Sequence, residues 1–146
     1  MTTKEWLNRG YEINKNVQAM LEERAEMSSM IHSIQAVKFE GERVQGGKKR
    51  RPDDLIVKYA DYEHRLDEEI DRLVDIKKEI FLVIRQVKDN RLRALLIRRY
   101  LRFNTWEQIA EHLDVSVRGI HKGMHPRALK EIEKILKGSL KFTIYP

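Results

Sequence analysis

The residues best suited to specific recognition chemistry lie in the stretch TWEQIAEHLDVSVRGIHKG, which runs from Thr105 to Gly123. Arg118 carries a guanidinium group, which can donate two parallel hydrogen bonds to neighbouring acceptors such as N7 and O6 of guanine. Val117 offers an apolar contact that suits a thymine methyl group. The outward side of the same predicted helix is completed by Ser116, His121 and Lys122. These residue types in this spacing are typical of a surface that reads base edges in the major groove of DNA.

Two short helices separated by a tight turn are predicted to present that surface. Thr105 and Gln108 have the spacing of a capping box, in which each side chain satisfies a free backbone donor. Asp114 suits the turn because aspartate tolerates left-handed backbone geometry better than most residues, and Ser116 suits the cap of the second helix. The expected core side comprises Trp106, Ile109, Ala110, Leu113, Val115 and Ile120. The pattern therefore predicts a helix-turn-helix, with Trp106 in the core and not stacked on a base.

Four residues near the front of this unit are candidates for contacts with the phosphate backbone, which set register without reading sequence. They are Arg99, Arg102, Asn104 and Thr105. The charge distribution agrees, since residues 88–146 contain thirteen Lys/Arg against six Asp/Glu, whereas residues 1–87 contain sixteen against seventeen. We therefore expect a polyanion-binding unit in the carboxyl-terminal part. A solvated basic face with no partner is the alternative.

Two long helices are predicted upstream of this unit. Apolar residues recur every three or four positions over Leu55–Val87, between charged residues, as in a coiled-coil helix. A similar stripe covers Lys4–Phe39, and Gly10 favours a helix that begins properly only after that glycine. Residues 40–52, EGERVQGGKKRRP, contain three glycines and a proline, so we predict a flexible loop and a new helix beginning near Asp53. An antiparallel hairpin would bury both stripes.

The sequence thus predicts an all-α protein with a long amino-terminal, coiled-coil-like antiparallel hairpin and a small carboxyl-terminal helix-turn-helix domain. We expect the hairpin to form an oligomerisation domain over residues 1–88. The helix-turn-helix domain is expected over 89–138, after a chain turn at Lys88–Arg91, with a tail at 139–146. Because one hairpin buries only a narrow core, we expect a homodimer in which two hairpins pack as a four-helix bundle. A monomeric hairpin folded onto its own carboxyl-terminal domain is the alternative.

The segment LLIRRYLRFNTWEQIAEHLDVSVRGIHK, followed by RALKEI, resembles the DNA-reading fourth region of sigma factors. It is more similar still to phage transcriptional regulators of the ArpU/RinA type from Gram-positive bacteria. Members of one such phage family carry an opening of the form KE(W/Y)L, a long charged hairpin and a signature RYL.F.TWEQIA. Here the opening is KEWLNRGYEINKN and the signature covers Tyr100–Ala110, so the resemblance spans nearly the whole chain. It implies a phage or prophage regulator of late gene expression.

One departure from that resemblance follows the predicted recognition helix, where HKGMHPRAL is one residue longer than the family pattern. Gly123 stands where an apolar residue normally closes the core, and we expect Met124 to replace it by a local shift. Pro126 fits the first position of a final helix that ends at Leu136, with His125 outside that helix. Because Gly119 and Gly123 together cost about 2 kcal/mol, we expect the recognition helix to be short and loosely held.

The leading hypothesis is a sequence-specific DNA-binding transcriptional regulator, an activator that binds as a dimer. One alternative is a DNA-packaging recognition subunit of the small-terminase kind, which predicts a ring of many subunits. Another is a protein-interaction module that binds RNA polymerase or a sigma factor, which predicts no salt-dependent affinity for DNA. The operator sequence, and activation as opposed to repression, do not follow from the residues.

Other classes of function find little in the sequence. It shows no nucleophile with its base and no glycine-rich phosphate loop, so we expect no enzymatic activity. There is no cysteine, and His121 and His125 have no third ligand nearby, so we expect no metal and no cofactor. The start of the chain has no apolar core of a signal peptide, and no run approaches the ~18 apolar residues of a membrane span. We expect a cytoplasmic protein of a bacterial host cell.

Two segments keep open interpretations. The cation run Lys48–Arg51 suits either a contact with phosphates or a solvated loop. The tail Ser139–Pro146, SLKFTIYP, alternates apolar and polar residues, so it suits a strand added to a partner or a segment packed across the carboxyl-terminal domain.

Overall fold

The computed structural model describes residues 1–40 and 52–144, with the side chains of residues 1–36 and 53–138. Every regular element in that part of the chain is helical, which confirms the all-α class. The elements are α1 (Thr3–Leu7), α2 (Arg9–Glu40), α3 (Pro52–Ile84), α4 (Asn90–Leu96), α5 (Trp106–Leu113), α6 (Val117–Gly119) and α7 (His125–Ile144), with π-helical turns π1 (Ile97–Leu101) and π2 (Ile120–Met124). Among the described helices, none is long and apolar enough to cross a membrane.

The predicted loop and its cation run fall outside the described residues, apart from the helix ends at Glu40 and Pro52. The start of α3 at Pro52 agrees within one residue with the predicted start near Asp53. Asp53 and Asp54 occupy the first turn of α3, where carboxylates interact favourably with the helix dipole.

The chain divides into two compact units, which we call the head and the stem. The head comprises Met1–Glu12 and Leu73–Pro146, and the stem comprises Ile13–Arg72. This division differs from the predicted boundary at residue 88, because Leu7, Ile80 and Ile84 belong to the same buried cluster as residues of α4. The head therefore includes the beginning of the chain and the last three turns of α3.

Within the stem, α2 and α3 pair as an antiparallel hairpin. Tyr62 donates a hydrogen bond of 2.5 Å to Glu23 Oε2, and Tyr59 interacts with Ser28, further along α2. From the first pair to the second, the residue number rises along α2 and falls along α3, so the two helices are antiparallel. The buried apolar residues of the described stem are Ile13, Val17, Leu55 and Leu66. Arg24 lies half-buried on the seam, where the sequence pattern placed it.

The amino-terminal turns of the head differ from the expectation that the helix begins only after Gly10. Thr2 and Glu5 form a capping box, with hydrogen bonds of 3.1 and 2.9 Å, that starts α1 at Thr3. The helix is interrupted at Asn8 and resumes at Arg9, so Gly10 lies inside α2. The prediction was wrong because the cap outweighs the low helix propensity of one glycine.

The connection between α3 and α4 lies at residues 85–89, slightly before the predicted turn. Asp89 caps α4, since its Oδ1 accepts hydrogen bonds from the backbone N–H groups of Arg91 (2.9 Å) and Leu92 (3.1 Å). The core of the head combines buried residues of α1, α3, α4, α5 and α7 and of both π turns. Its fully buried members include Leu7, Ile80, Ile84, Leu95, Leu96, Tyr100, Ile109, Ile120 and Ile132.

The tail does not form a strand. Residues 139–144 continue α7 to Ile144, so the strand interpretation of Ser139–Pro146 is wrong for these six residues. The helical period of Ala128, Ile132, Ile135 and Leu136 comes just before this segment, and alternation over a few residues is a weak signal beside it.

Candidate nucleic-acid interface

The first helix of the predicted helix-turn-helix is α5, and its cap has the predicted form. Thr105 Oγ1 accepts a hydrogen bond from the Gln108 N–H at 3.2 Å, and Gln108 Oε1 accepts one from the Thr105 N–H at 2.9 Å. Ile109 and Ala110 are buried, and Trp106 is half-buried against the same core. The predicted capping box and core side of α5 are confirmed.

The turn after α5 is closed by Asp114 in the left-handed conformation, with φ 56° and ψ 48°. The Val115 N–H donates to the Ala110 carbonyl at 3.0 Å, and the Asp114 N–H donates to the Glu111 carbonyl at 3.3 Å. These two bonds define a Schellman motif, in which an apolar residue after the turn packs back on the helix. Ser116 then caps α6, since its Oγ accepts from the Gly119 N–H at 2.9 Å. Both local predictions, for Asp114 and for Ser116, are confirmed.

The predicted reading surface lies on the outside of the segment formed by α6 and π2. The side chains of Ser116, Arg118, His121 and Lys122 are exposed. Ile120 is fully buried and Met124 is 8% exposed on the opposite side. Val117 differs from this set, because it is half-buried and packs against the core of the head. Part of its surface therefore serves packing.

The π2 turn explains the extra residue in HKGMHPRAL. The backbone N–H of His125 bonds to the carbonyl of Ile120, five residues earlier, so this turn contains one residue more than an α-helical turn. In a regular α-helix, the buried residues Ala128 and Ile132 would be rotated by about 100° away from Ile120. With one residue absorbed in π2, they return to the same face. Met124 takes the core position that Gly123 leaves vacant, as predicted.

This continuity corrects the expected start of the last helix. The chain passes from α6 through π2 into α7 with right-handed helical geometry at Gly119, Ile120 and His125. His125 is the first residue of α7 and is 7% exposed, so the expectation that it lies outside a helix beginning at Pro126 is wrong. Pro126 is tolerated in the first turn of α7 because the preceding backbone bonds are already shifted by π2.

The π1 turn has the same effect on α4. The Arg102 N–H bonds to the Ile97 carbonyl at 3.0 Å, five residues earlier. The extra residue brings Tyr100 onto the buried face that Leu92 and Leu96 define. Each π turn therefore places one polar aromatic residue in the core of the head, Tyr100 from π1 and His125 after π2.

These two residues are hydrogen-bonded to each other. Tyr100 Oη and His125 Nε2 are 2.6 Å apart, and their rings are stacked with centroids at 6.0 Å. Burial lowers the pKa of His125 to about 4, and electrostatic interactions with Lys4, His121 and Arg99 act in the same direction. Burial also raises the pKa of Tyr100 to about 12, against the opposing effect of Arg99. Both groups are therefore neutral near pH 7, as a buried pair without a counter-ion requires.

Trp106 joins this pair to the predicted reading surface. Its ring forms T-shaped contacts with the rings of His125 and exposed His121. The centroid distances are 4.7 Å and 4.9 Å, respectively. The Arg99 guanidinium lies over the Trp106 ring, 4.3 Å from the ring centroid. A single aromatic ring thus contacts π2, the start of α7 and π1, which supports a core role for Trp106.

The four predicted backbone-contact residues are near one another, but most of them already serve local structure. Arg99 Nη1 donates to the Asn104 carbonyl at 3.0 Å, and Asn104 Oδ1 accepts from Arg98 at 3.5 Å. Thr105 caps α5. Arg102 is exposed and forms no ion pair with any described residue, which makes it the most accessible cation of the four.

Sequence reasoning missed the role of Phe103, which precedes this group. Phe103 adopts a positive φ of 59°, a conformation that L-residues with large side chains rarely adopt. Its ring contacts Tyr11, with centroids 6.1 Å apart, and Lys77 Nζ lies 4.9 Å from its centroid. The nearest ring atom is 3.6 Å from the position that a Cβ on Gly10 would occupy. No local pattern signals this conformation, because the compensating contacts come from α2 and α3.

A family model described as "Protein of unknown function (DUF1492)" matches residues 33–133, more than half of the chain. The chain belongs to this family. No curated protein and no solved structure matches the chain.

The segment shared with the DUF1492 family contains the whole predicted interface. It includes α4, α5, α6 and both π turns, together with the Tyr100–His125 pair. It begins within α2 and ends within α7, so α1 with its capping box lies outside the match. The nine predicted site residues, from Arg99 to Lys122, are therefore all within the family segment.

Proposed function

We propose that this member of the DUF1492 family is a sequence-specific DNA-binding transcriptional regulator of phage or prophage origin, similar to the ArpU/RinA type. The observation that carries the proposal is the asymmetry of the α6–π2 segment. Its inner side is fixed in the core by Ile120 and Met124, while its outer side exposes Arg118, His121 and Lys122. A capped helix, a Schellman turn and a second capped helix are the arrangement that presents such a side to the major groove.

The charge of the head supports this proposal. The head contains eighteen Lys/Arg and ten Asp/Glu, whereas the stem contains eleven and thirteen. A basic unit attracts the phosphate backbone and releases its counter-ions on binding, so affinity for DNA is expected to fall steeply with salt. The acidic stem gives no such attraction, which favours the head as the DNA-binding part.

Within the interface, each group has a distinct expected role. Arg118 has no competing ion pair among the described residues and is the candidate for bidentate contact with guanine. Lys122 and Arg102 are expected to contact phosphates, which position the unit without specifying sequence. Ser116 and Thr105 are engaged as caps, and their remaining hydrogen-bonding capacity is available to phosphate oxygens.

The test is to select bound fragments from the parent genome with the full chain and then to measure Arg118→Ala on the preferred fragment. We expect a loss of about 1–3 kcal/mol in binding free energy, and weaker discrimination at one base position, because a bidentate contact is removed. Arg72→Ala is the matched control, since it removes the same charge from the exposed surface of the stem. Fluorescence anisotropy at two salt concentrations separates base reading from charge attraction.

Three outcomes would contradict the proposal. Equal losses on all sequences would show that Arg118 reads no base, and equal effects of the two variants would place the binding elsewhere. Affinity for DNA that does not vary with salt would favour the module that binds RNA polymerase or a sigma factor. Light scattering that reports a ring of many subunits, where the proposal expects a dimer through the amino-terminal hairpin, would favour the DNA-packaging subunit.

A further inference from the structure

Helix α3 carries exposed apolar residues on the side away from its buried stripe. The buried stripe follows a seven-residue repeat, as Leu66, Leu73 and Ile80 show. The exposed residues are Ile56, Val57, Val74, Phe81 and Leu82, which are between 43% and 59% exposed. They fall into two patches near the two ends of the helix.

The patch near the carboxyl end of α3 is rimmed by cations. Val74, Phe81, Lys77 and Lys78 line a groove of about 360 Å³ together with Leu101 of π1. Leu82 and Arg85 are exposed immediately beyond it. Asp75 and Glu79 are exposed carboxylates of the same segment, and Glu79 forms an ion pair with Arg9. An apolar groove of this kind suits an apolar partner surface flanked by carboxylates.

The patch near the amino end of α3 has the opposite character. Ile56 and Val57 are exposed, and the exposed carboxylates of Asp53, Asp54 and Asp61 surround them. A groove of about 320 Å³ lies here, lined by Asp54, Leu55, Val57 and Lys58, of which Lys58 is the only cation. This patch has the chemistry that the carboxyl-end patch requires.

Both patches lie on one helix, so neither can cover the other within a single chain. We propose that α3 pairs antiparallel with α3 of a second copy, so that each patch covers its complement. In antiparallel coiled coils, seven-residue repeats place a fixed pair of positions opposite each other. A register centred on Glu69 places Phe81 opposite Val57 of the second copy and Leu82 opposite its Ile56. The same register places Lys77 opposite Asp61 of the second copy.

The interface is isologous, because each copy contributes both patches. The register also places Asp67 of one copy opposite Asp71 of the other and Glu63 opposite Asp75. Asp67, Asp71 and Asp75 are exposed in the single chain, and Glu63 is half-buried. This repulsion opposes pairing at the centre. The association is therefore carried by the two ends of the helix, and it is weaker than that of a continuous apolar seam.

This inference deepens the dimer of the proposed function and rests on that part of it alone, since DNA takes no part in the pairing. The experiment measures self-association of the full chain without DNA by sedimentation velocity over a range of concentrations. In the doubly substituted variant K77E/K78E, and separately in D54K/D61K, like charges face each other at both ends. We expect each variant alone to raise the dimer dissociation constant at least tenfold.

An equimolar mixture of the two variants should restore dimerisation to within about threefold of the wild type, because opposite charges then face each other at both ends. Lys130→Glu is the control, since it reverses an exposed cation of α7 and should leave association unchanged. Asp71→Asn should tighten the dimer severalfold, because it removes the repulsion between Asp67 and Asp71. Circular dichroism verifies that each variant retains its helix content.

A monomeric wild-type chain, or charge variants that dimerise as well as the wild type, would overturn the proposal. A mixture that stays monomeric while each variant is folded would also overturn it. Phe81→Ser provides an independent measurement, since it removes the largest apolar contact and should weaken the dimer at least tenfold. Failure of this pairing leaves the Arg118 test intact, because that test measures binding to DNA.

Discussion

The head and the stem are built from the same kind of element but by different principles. The stem pairs two long helices through a repeating stripe, and its buried apolar residues in the described part are Ile13, Val17, Leu55 and Leu66. The head packs short helices around one buried core. Its special features, the two π turns and the left-handed residues Phe103 and Asp114, follow no repeat. In the stem, neighbouring helical turns make equivalent packing contacts. In the head, the packing contacts are not repeated, so each buried residue matters individually.

This difference predicts where the chain tolerates substitutions and deletions. A hairpin with a narrow seam gains little from any one residue, since most of its side chains stay exposed. In the head, the face that a helix buries depends on the number of residues between its core positions. Each π turn adds one residue to that number. The head is also the more basic unit, so the part with the most specific packing is the part that carries the proposed interface.

The largest expected effect comes from deleting one residue of the segment that runs from α6 to α7. Deleting Lys130 should rotate Ile132 and the residues after it by about 100° and remove them from the core, which costs about 3 kcal/mol or more in the free energy of unfolding. Deleting Gly123 should convert π2 into a regular turn and keep every core position on one face. We expect its stability to stay within about 1 kcal/mol of the wild type, since a glycine also leaves the helix. Urea denaturation followed by circular dichroism measures both.

The deletions form a matched pair, because each removes a single exposed or half-exposed residue from the same continuous helical segment. Equal destabilisation by the two deletions would contradict the function assigned to π2. A stable Lys130 deletion would show that the head tolerates a change of helical face, and the contrast between the two units would fail.

An intermediate effect is expected from the buried pair in the head. Because the pKa of His125 is lowered from 6.5 to about 4 in the folded state, the unfolded chain binds the proton more tightly. The resulting stability is fully present above about pH 6.5 and is lost as the pH falls towards 4, by about 3 kcal/mol at most. His125→Gln should flatten this part of the pH profile of the free energy of unfolding.

The control for that profile is His64→Gln, which removes an exposed stem histidine that forms an ion pair with Glu68 at 3.1 Å. This variant keeps the buried Tyr100–His125 pair, so the loss of stability attributed to His125 should remain in its pH profile. If His125→Gln also follows the wild type, burial does not lower the pKa of His125.

The smallest expected effect contrasts one arginine from each unit. Arg72 in the stem forms an exposed ion pair with Glu69 at 3.7 Å, so Arg72→Ala should cost no more than about 0.5 kcal/mol. Arg91 in the head donates a 2.7 Å hydrogen bond to the Leu113 carbonyl at the end of α5, and Arg91→Ala should cost about 1 kcal/mol. Thermal denaturation of the two variants measures the difference. A reversed order would show that surface contacts do not distinguish the units.

Much of the helical architecture could be predicted because its signals are local. The apolar period of α3, the capping box of Thr105 and Gln108, and the left-handed Asp114 each depend on residues within one or two turns. The same holds for Ser116, which caps α6 through a residue three positions later. The predicted site residues also lie in one region of the head, since their positions follow from the helical period alone.

Other features could not be predicted because distant residues decide them. The positive φ of Phe103 and the assignment of α1 to the head depend on contacts between segments far apart in the sequence. The start at Thr3 was missed for another reason, because its capping box is local and was outweighed in the prediction by Gly10. The extra residue before Pro126 was visible in the sequence, but it predicted a break between two helices. In the structure, the π2 turn accommodates this residue within a continuous helical segment.

The amino-acid sequence by itself determined which segments are helical, where α5 and α6 are capped, and which side of α6 is polar, because these follow from backbone hydrogen bonding and apolar spacing over a few residues. Only the tertiary structure decided that Tyr100 and His125 form a buried pair and that π1 and π2 supply the extra residues to align them. Burying a polar group is favourable only when its partner is present. That partner lies 25 residues away in the chain.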